Sequence, residues 1–141
     1  MLSSDHLKES IKPPMKVLLV EDSALLRAVI TENLKDCKQI DIKQFAATQS
    51  KAIELLESER FDMVLVDIEL SEGNGFEVIK HELANHEAAK KPILMVLTNN
   101  AHPHYRKYAT ELRVDYFFDK SMDFEQAMET VMHEAAKFSL A

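Results

Sequence analysis

The sequence Val17-Leu18-Leu19-Val20-Glu21-Asp22 is the clearest indication of the fold, because four consecutive apolar residues lead directly into two acidic ones. An apolar run this short, rich in branched side chains, predicts a β-strand that is buried on both faces. Similar runs follow at 63–66, 93–97 and 116–118, and a weaker strand candidate lies at 40–46. The sequence therefore predicts five strands.

Segments with the apolar spacing of amphipathic helices follow each strand candidate. The clearest is the last, where apolar residues recur at i, i+3 and i+4 between 124 and 135. Asp123 and Gln126 resemble a capping box at its start. Regular alternation predicts an α/β fold: a doubly wound, flavodoxin-like, five-stranded parallel sheet with helices on both faces. We assign this domain to residues 15–141 and expect residues 1–14, which end in two prolines, to form a flexible extension.

The composition argues against several functional classes. The chain has 141 residues, enough for one domain, and a net charge of −7, so we expect no direct contact with nucleic acid. No apolar run is long enough to cross a membrane, and the first fourteen residues lack the apolar segment of a secretory signal. The single cysteine excludes an internal disulfide. Together these features predict a cytoplasmic protein.

Polar residues stand where the predicted strands end. Glu21 and Asp22 follow the first strand, Asp67 the third and Thr98 the fourth, while Lys120 ends the fifth. Parallel strands in a doubly wound sheet bring their carboxyl ends to one edge, where ligands bind. We therefore expect these five side chains to converge.

Three converging carboxylates must be neutralised. At about 4 Å and an effective dielectric constant of about 20, each pair repels by roughly 4 kcal/mol. Mg²⁺ prefers carboxylate, water and phosphate oxygens and would relieve this repulsion. Lys120 adds a fixed positive charge and Thr98 a hydroxyl donor. In these surroundings the Asp67 carboxylate could attack phosphorus and form an aspartyl phosphate.

The only two glycines of the chain, Gly73 and Gly75, lie in the loop that follows Asp67. A sharp turn beside a site requires the backbone freedom that glycine has. The glycines therefore support the same location for the site.

The motifs that carry these residues resemble those of response-regulator receiver domains. In chain order they are LLVEDS at 18–23, VLVD at 64–67, GFEVI at 75–79, VLT at 96–98 and FDK at 118–120. The resemblance covers about residues 15–137 and is specific, because all five motifs occur in order at family-like spacing.

The resemblance implies a phosphorylation-dependent switch. Glu21, Asp22, Asp67 and the backbone carbonyl of Glu69 would hold Mg²⁺. Asp67 would accept a phosphoryl group from a sensor histidine kinase or a histidine phosphotransfer protein. Thr98 and Lys120 would bind the phosphoryl oxygens.

Two further roles follow from the same resemblance. Phe117 matches an aromatic position that switches together with Thr98, although a plain core role fits the sequence equally well. The output would be binding of a downstream protein through residues 105–137. Such a domain is not a classical enzyme, but it would catalyse its own phosphorylation and slow dephosphorylation.

The chain departs from the family pattern at several positions. Asn99 stands where a small residue is usual, and with Glu69 and Asn100 it borders the expected path of water to the phosphate. Ser71 and Ser121 stand where proline is common. Arg113-Val114 replaces a Gly-Ala pair, so we expect Arg113 to adopt a positive φ.

Two alternative functions stay open at this stage. Asp67-Ile68-Glu69 crudely matches the paired acids of haloacid-dehalogenase-type phosphohydrolases, but there the metal-binding acids follow the lysine segment. A pseudo-receiver scaffold would never carry phosphate, yet the five-residue set is intact. His102 and His104 are a candidate metal pair, but histidines without further ligands are more often surface residues.

Overall fold

Strands and helices alternate along the chain in the computed structural model, which describes residues 12–85 and 91–141. The strands are β1 Met15–Val20, β2 Ile40–Ala46, β3 Met63–Val66, β4 Ile93–Thr98 and β5 Tyr116–Asp119. The helices are α1 Ala24–Leu34, α2 Gln49–Ser58, α3 Gly75–Ala84, α4 Pro103–Glu111 and α5 Phe124–Leu140. The predicted alternation is confirmed. Of the predicted extension 1–14, all but residues 12–14 lies outside the described residues.

The sheet has the strand order β2-β1-β3-β4-β5, and every neighbouring pair is parallel. The chain moves outward from β1 to β2 and then crosses back to β3, so the strand order reverses between β1 and β3. Doubly wound sheets bind ligands beside this reversal, at the carboxyl ends of the strands. The residues that follow β1 and β3 are therefore neighbours at the place where a ligand would bind.

The core lies on both faces of the sheet. Leu18 and Val20 of β1 pack under α2, α3 and α4, whereas Val17 and Leu19 pack under α1 and α5. Because consecutive strand residues point to opposite faces and both faces are covered, the central strands β1, β3 and β4 are predominantly apolar, whereas the edge strand β2 is partly polar and exposed. In the described part of the chain, no helix is long and apolar enough to cross a membrane.

Side-chain caps fix the starts of the first three helices. The hydroxyls of Ser23 and Thr48 and the amide oxygen of Asn74 each accept a backbone N–H of the first turn, at 3.1 Å. The capping box predicted at Asp123 is wrong. Its carboxylate instead accepts the backbone N–H of Asp119 at 3.0 Å, because the short turn after β5 brings this donor within reach.

The end of α4 is closed by Arg113 in a left-handed conformation, with φ of 62°. Its N–H donates to the Thr110 carbonyl, and the N–H of Val114 donates to the Ala109 carbonyl, both at 3.0 Å. These two bonds form a Schellman motif, in which glycine is the usual residue at the left-handed position. Arg113 is the only non-glycine residue with positive φ in 12–85 and 91–141, as the sequence predicted.

We predict that Arg113→Gly is more stable than Arg113→Ala by about 1 kcal/mol, because only glycine removes the Cβ that makes this conformation unfavourable. Both variants remove the exposed guanidinium group, so alanine is the matched control. Urea denaturation monitored by circular dichroism measures the difference. Equal stability of the two variants would show that Arg113 carries no backbone strain.

Candidate functional site

A cleft of about 370 Å³ opens at the carboxyl edge of the sheet, beside the reversal in strand order. All five polar residues that were expected to converge lie in it. Its lining is Glu21, Asp22, Ser23, Asp67, Glu69, Leu70, Thr98, Asn99 and Lys120. The volume is within the range of small-ligand sites.

Three acidic side chains meet in this cleft. Each of Glu21, Asp22 and Asp67 offers a carboxylate oxygen, and these atoms lie within 4.8 Å of one another. Glu21 and Asp67 are buried, whereas Asp22 is exposed. Their positions are set by the sheet, because the Asp67 N–H donates to the Val20 carbonyl and extends the pairing of β1 with β3 by one residue. This arrangement concentrates negative charge where part of it is shielded from water.

The ammonium of Lys120 partly neutralises the acidic cluster. Its Nζ lies 2.7 Å from Asp67 Oδ2 and 2.7 Å from Glu21 Oε1. The Lys120 side chain is only 11 % exposed, so these ion pairs are poorly screened by water. The backbone N–H of Lys120 donates to the Thr98 carbonyl at 3.0 Å, which fixes the start of the side chain.

The two charged partners have shifted proton affinities. Burial raises the pKa of Glu21, and hydrogen bonds from Lys120 and from the Ser23 N–H only partly offset this effect. Burial alone would lower the pKa of Lys120, but hydrogen bonds to Asp67 and Glu21 outweigh it, so the pKa of Lys120 is raised. Both groups therefore hold a proton more tightly in the folded protein than in the unfolded chain.

Thr98 brings a buried hydroxyl to the cleft at the end of β4. Its Oγ1 accepts the backbone N–H of Asn100 at 3.1 Å. The side-chain amide of Asn100 in turn donates to Glu69 Oε1 at 2.7 Å. This contact joins the loop after β3 to the loop after β4 at the rim of the cleft. Asn99, which lies between Thr98 and Asn100 in the chain, is exposed and lines the cleft.

Both glycines are required by the geometry of the loop after Asp67. Gly73 has φ of 79°, in the left-handed region. A Cβ at Gly75 would lie 2.1 Å from the backbone oxygen of Asp67, which is far below contact distance. The Gly75 N–H donates to the Ile68 carbonyl at 2.8 Å and holds the first turn of α3 against this loop.

A network around Asp119 shapes the loop that carries Lys120. The Asp119 carboxylate accepts the backbone N–H and the hydroxyl of Ser121 and the N–H of Met122. The hydrogen bonds from Ser121 are the main cause of the lowered pKa of Asp119. Ser121, which stands where the family commonly has proline, therefore stabilises the turn by hydrogen bonding.

Phe117, the aromatic residue on β5, is half-buried and packs against the core under α4. The guanidinium of Arg106 lies 4.7 Å from the centre of its ring, and Arg106 also lies 4.0 Å from Asp123. The ring thus contacts both the core and a cation, and the switch role of Phe117 stays a prediction. No sequence pattern predicts this contact, since Arg106 resembles any other solvent-exposed charge on α4.

Arg27 is a further neighbour of the cleft, and the sequence did not predict it. Arg27 lies one turn into α1, and its guanidinium donates to the Glu21 carbonyl at 2.7 Å. The spacing along α1 could have predicted that Arg27 lies near Glu21 and Asp22. It could not have predicted the direction of the Arg27 side chain.

The histidine pair lies apart from the acidic cluster. His102 and His104 are exposed, their rings stack at 4.6 Å, and His102 Nδ1 accepts the His104 N–H at the start of α4. Within the part of the chain that the structure describes, Glu21, Asp22 and Asp67 form the only group of three or more potential metal ligands.

A doubly wound sheet with buried acids and a lysine at its carboxyl edge defines the class of receiver domains. The chain belongs to the response regulator receiver domain family, whose model matches residues 17–132. This membership displaces the phosphohydrolase alternative.

Curated relatives place the domain within longer proteins. The chain is 31 % identical over 105 residues to a protein-glutamate methylesterase/protein-glutamine glutaminase of Vibrio vulnificus, covering 73 % of this chain and 30 % of that protein. It is 31 % identical over 117 residues to the sensory transduction protein LytT of Bacillus cereus, covering 83 % and 46 %. The chain thus spans less than half the length of these relatives.

Solved structures share the fold. The response regulator domain of Thermotoga maritima CheB superposes with a TM-score of 0.74 at 19 % identity, covering 91 % of this chain and 98 % of that chain.

We predict that Lys120→Met lowers the free energy of unfolding at neutral pH by about 3 kcal/mol, because it leaves two buried carboxylates without their cation. The control Lys107→Met removes an exposed ammonium on α4 and should change stability by less than about 0.5 kcal/mol.

The loss of stability caused by Lys120→Met should shrink as the pH is lowered toward the raised pKa of Glu21. The raised pKa of Glu21 means that the folded state binds more protons than the unfolded state, so stability falls as the pH rises through this titration. Loss of the Lys120 ammonium makes this fall in stability with rising pH larger. Urea denaturation from neutral to mildly acidic pH measures it, and a deficit independent of pH would contradict the ion-pair explanation.

Proposed function

We propose that this chain is a phosphorylation-dependent signalling switch in which Asp67 accepts a phosphoryl group with the help of Mg²⁺. The observation that carries the proposal is the position of Asp67. Its carboxylate is buried, paired with Lys120 at 2.7 Å and grouped with Glu21 and Asp22. Membership of the receiver family supports the same conclusion.

The donor set fits a hard divalent cation. Glu21, Asp22 and Asp67 supply carboxylate oxygens within 4.8 Å of one another, and oxygen ligands are those that Mg²⁺ prefers. We assign these three side chains, with the backbone carbonyl of Glu69, as the residues that would hold it. When bound, Mg²⁺ would supply positive charge to the phosphoryl oxygens.

The chemistry of phosphoryl transfer assigns a task to each residue. A carboxylate oxygen of Asp67 attacks phosphorus; the new P–O bond forms as the P–N bond to the donor histidine breaks, and the imidazole leaves with the electron pair. The Lys120 ammonium then pairs with a phosphoryl oxygen, and the Thr98 hydroxyl donates to another. Attack by water later returns Asp67 and inorganic phosphate.

The same contacts would drive the switch. The Thr98 Oγ1 accepts the Asn100 N–H through a lone pair, so its O–H proton remains available for donation to a phosphoryl oxygen. New charge-assisted hydrogen bonds contribute about 1.5–3 kcal/mol each. A change from 1:99 to 99:1 requires about 5.5 kcal/mol, so contacts from Thr98 and Lys120 are about sufficient. Phe117 would follow Thr98 and leave its place beside Arg106.

The partners follow from the chemistry and from the relatives. The donor would be a sensor histidine kinase or a histidine phosphotransfer protein, since an aspartyl phosphate is readily formed from phosphohistidine. The output would be a protein surface or an output domain that reads residues 105–137. A methylesterase and a sensory transduction protein carry the matching region in the curated relatives.

We predict that acetyl phosphate with Mg²⁺ adds the mass of one phosphoryl group to the protein, and that chelation of Mg²⁺ or the change Asp67→Asn abolishes the gain. Asp36→Asn is the matched control, because Asp36 is an exposed carboxylate at the far end of α1. Intact-mass spectrometry measures the labelling. A protein that stays unlabelled with Mg²⁺ present would favour the pseudo-receiver scaffold, and unchanged labelling of Asp67→Asn would move the site elsewhere.

Access to the phosphate is set by the residues at the rim. Asn99 lines the cleft, and the Asn100–Glu69 contact closes the side next to it. We propose that these three residues slow the approach of both water and small donors to Asp67.

We predict that Asn99→Ala speeds labelling by acetyl phosphate and shortens the phosphorylated lifetime, because both reactions use the space that the amide occupies. Asn33→Ala, which changes an exposed asparagine on α1, is the control. Labelling and decay followed by intact mass give both rates. If neither rate changes, the Asn99 side chain does not obstruct the cleft.

A further inference from the structure

A second and larger cleft, of about 530 Å³, lies between α1 and the edge strand β2 and shares no lining residue with the acidic cleft. We call it the α1–β2 groove. Arg27, Thr31 and Lys35 line it from the helix, and their spacing of four residues places them on one face of α1. Eight residues of helix span about 12 Å, so the groove is long enough for about four residues of extended chain.

The strand side of the groove is apolar. Ile40 and Ile42 of β2 are only partly buried, and Phe45 is 50 % exposed. An extra residue in β2 shifts its register against β1 between Lys16 and Leu18. β2 is the edge of the sheet, so no strand of the described chain covers its outer side.

The charged residues of the groove are mostly basic, in a chain whose net charge is −7. Lys35 is paired with Glu32 at 2.8 Å. The Arg27 guanidinium stacks on Phe45 at 4.2 Å and donates to a backbone carbonyl, and the Lys43 ammonium also has no carboxylate partner among the described residues. The one acid of the lining, Asp41, accepts the backbone N–H of Lys43. Two cations beside exposed apolar surface thus lack an anionic partner within residues 12–85 and 91–141.

We propose that the α1–β2 groove is a docking site for a short, extended, acidic segment of a partner protein. Carboxylates of the segment pair with Lys43 and Arg27, and its apolar side chains cover Ile42 and Phe45. A segment of this kind pairs with both cations and covers the exposed apolar side chains, whereas a basic segment leaves both cations unpaired.

Two other occupants fit the groove less well. The chain enters β1 from the side of α5, because Lys12 donates to the Phe138 carbonyl at 2.9 Å and lies over the Phe138 ring. Lys12 is therefore anchored on α5, and Pro14, two residues later, lines the groove, so the chain's own first residues are one outcome of the test. A second copy of the chain would bring another net charge of −7 against the first, which opposes association.

The test is a titration of the full chain with acetyl-Glu-Leu-Glu-Leu-Glu-amide, followed by ¹H–¹⁵N correlation spectra. We expect amide shifts concentrated at residues 27, 31 and 42–45, weaker shifts with glutamine in place of glutamate, and none with lysine. Lys43→Glu should weaken binding about fivefold, at the upper end of what loss of an exposed ion pair costs, because the change also reverses the charge. Lys107→Glu, the same charge change on α4, should leave the affinity within about twofold.

Several outcomes would overturn the proposal. Absence of groove shifts at millimolar peptide would reject the docking site, and equal binding of the glutamate and glutamine peptides would reject its charge selectivity. Groove shifts caused by Asp5→Asn with Glu9→Gln, without peptide, would assign the groove to the chain's own first residues. Shifts that appear on concentrating the protein alone would assign it to a second copy. None of these readouts depends on phosphorylation of Asp67, so the two proposals fail separately.

Discussion

Two buried carboxylates, Glu21 and Asp67, depend on one ammonium group that lies 2.7 Å from each. The strand order places the two acids side by side, so without Lys120 their repulsion would act in a poorly hydrated space. The turn after β5 holds that ammonium in position through the Lys120–Thr98 backbone bond and the Asp123–Asp119 bond. The strand order thus brings two carboxylates together, and the loop after β5 supplies the ammonium that reduces their repulsion.

The sequence predicted the fold and the convergence of the polar residues because both depend on local pattern. Apolar runs mark strands buried on two faces, and parallel strands bring their carboxyl ends together whatever the loops do. The contact of Asn100 with Glu69 joins two loops 31 residues apart, and no local rule specifies it. Asp123 had two local donors within reach, one in the first turn of α5 and one at Asp119 in the preceding turn, and its carboxylate accepts the second. The contact of the Arg106 guanidinium with the Phe117 ring was not predicted either, since the direction of a long side chain is set by packing.

The departures from the family pattern are accommodated by local hydrogen bonds. Ser121 closes the turn after Lys120 by two bonds to Asp119, and the left-handed Arg113 is held by the Schellman motif at the end of α4. Asn99 differs, because it is exposed and changes only the lining of the cleft. The first two substitutions therefore affect the scaffold, and the third affects access to the acids.

The close approach of Gly75 to Asp67 has a mechanical consequence. Backbone meets backbone there, since a Cβ at Gly75 would lie 2.1 Å from the Asp67 oxygen. A displacement of the Asp67 main chain would therefore meet the first turn of α3 directly, with no side chain between them to rotate away. Phe76, the next residue, contacts the rings of Tyr105 and Tyr108 on α4, at 5.8 and 4.8 Å between centres. One unbroken set of contacts thus joins the acidic edge of the sheet to the aromatic side of α4.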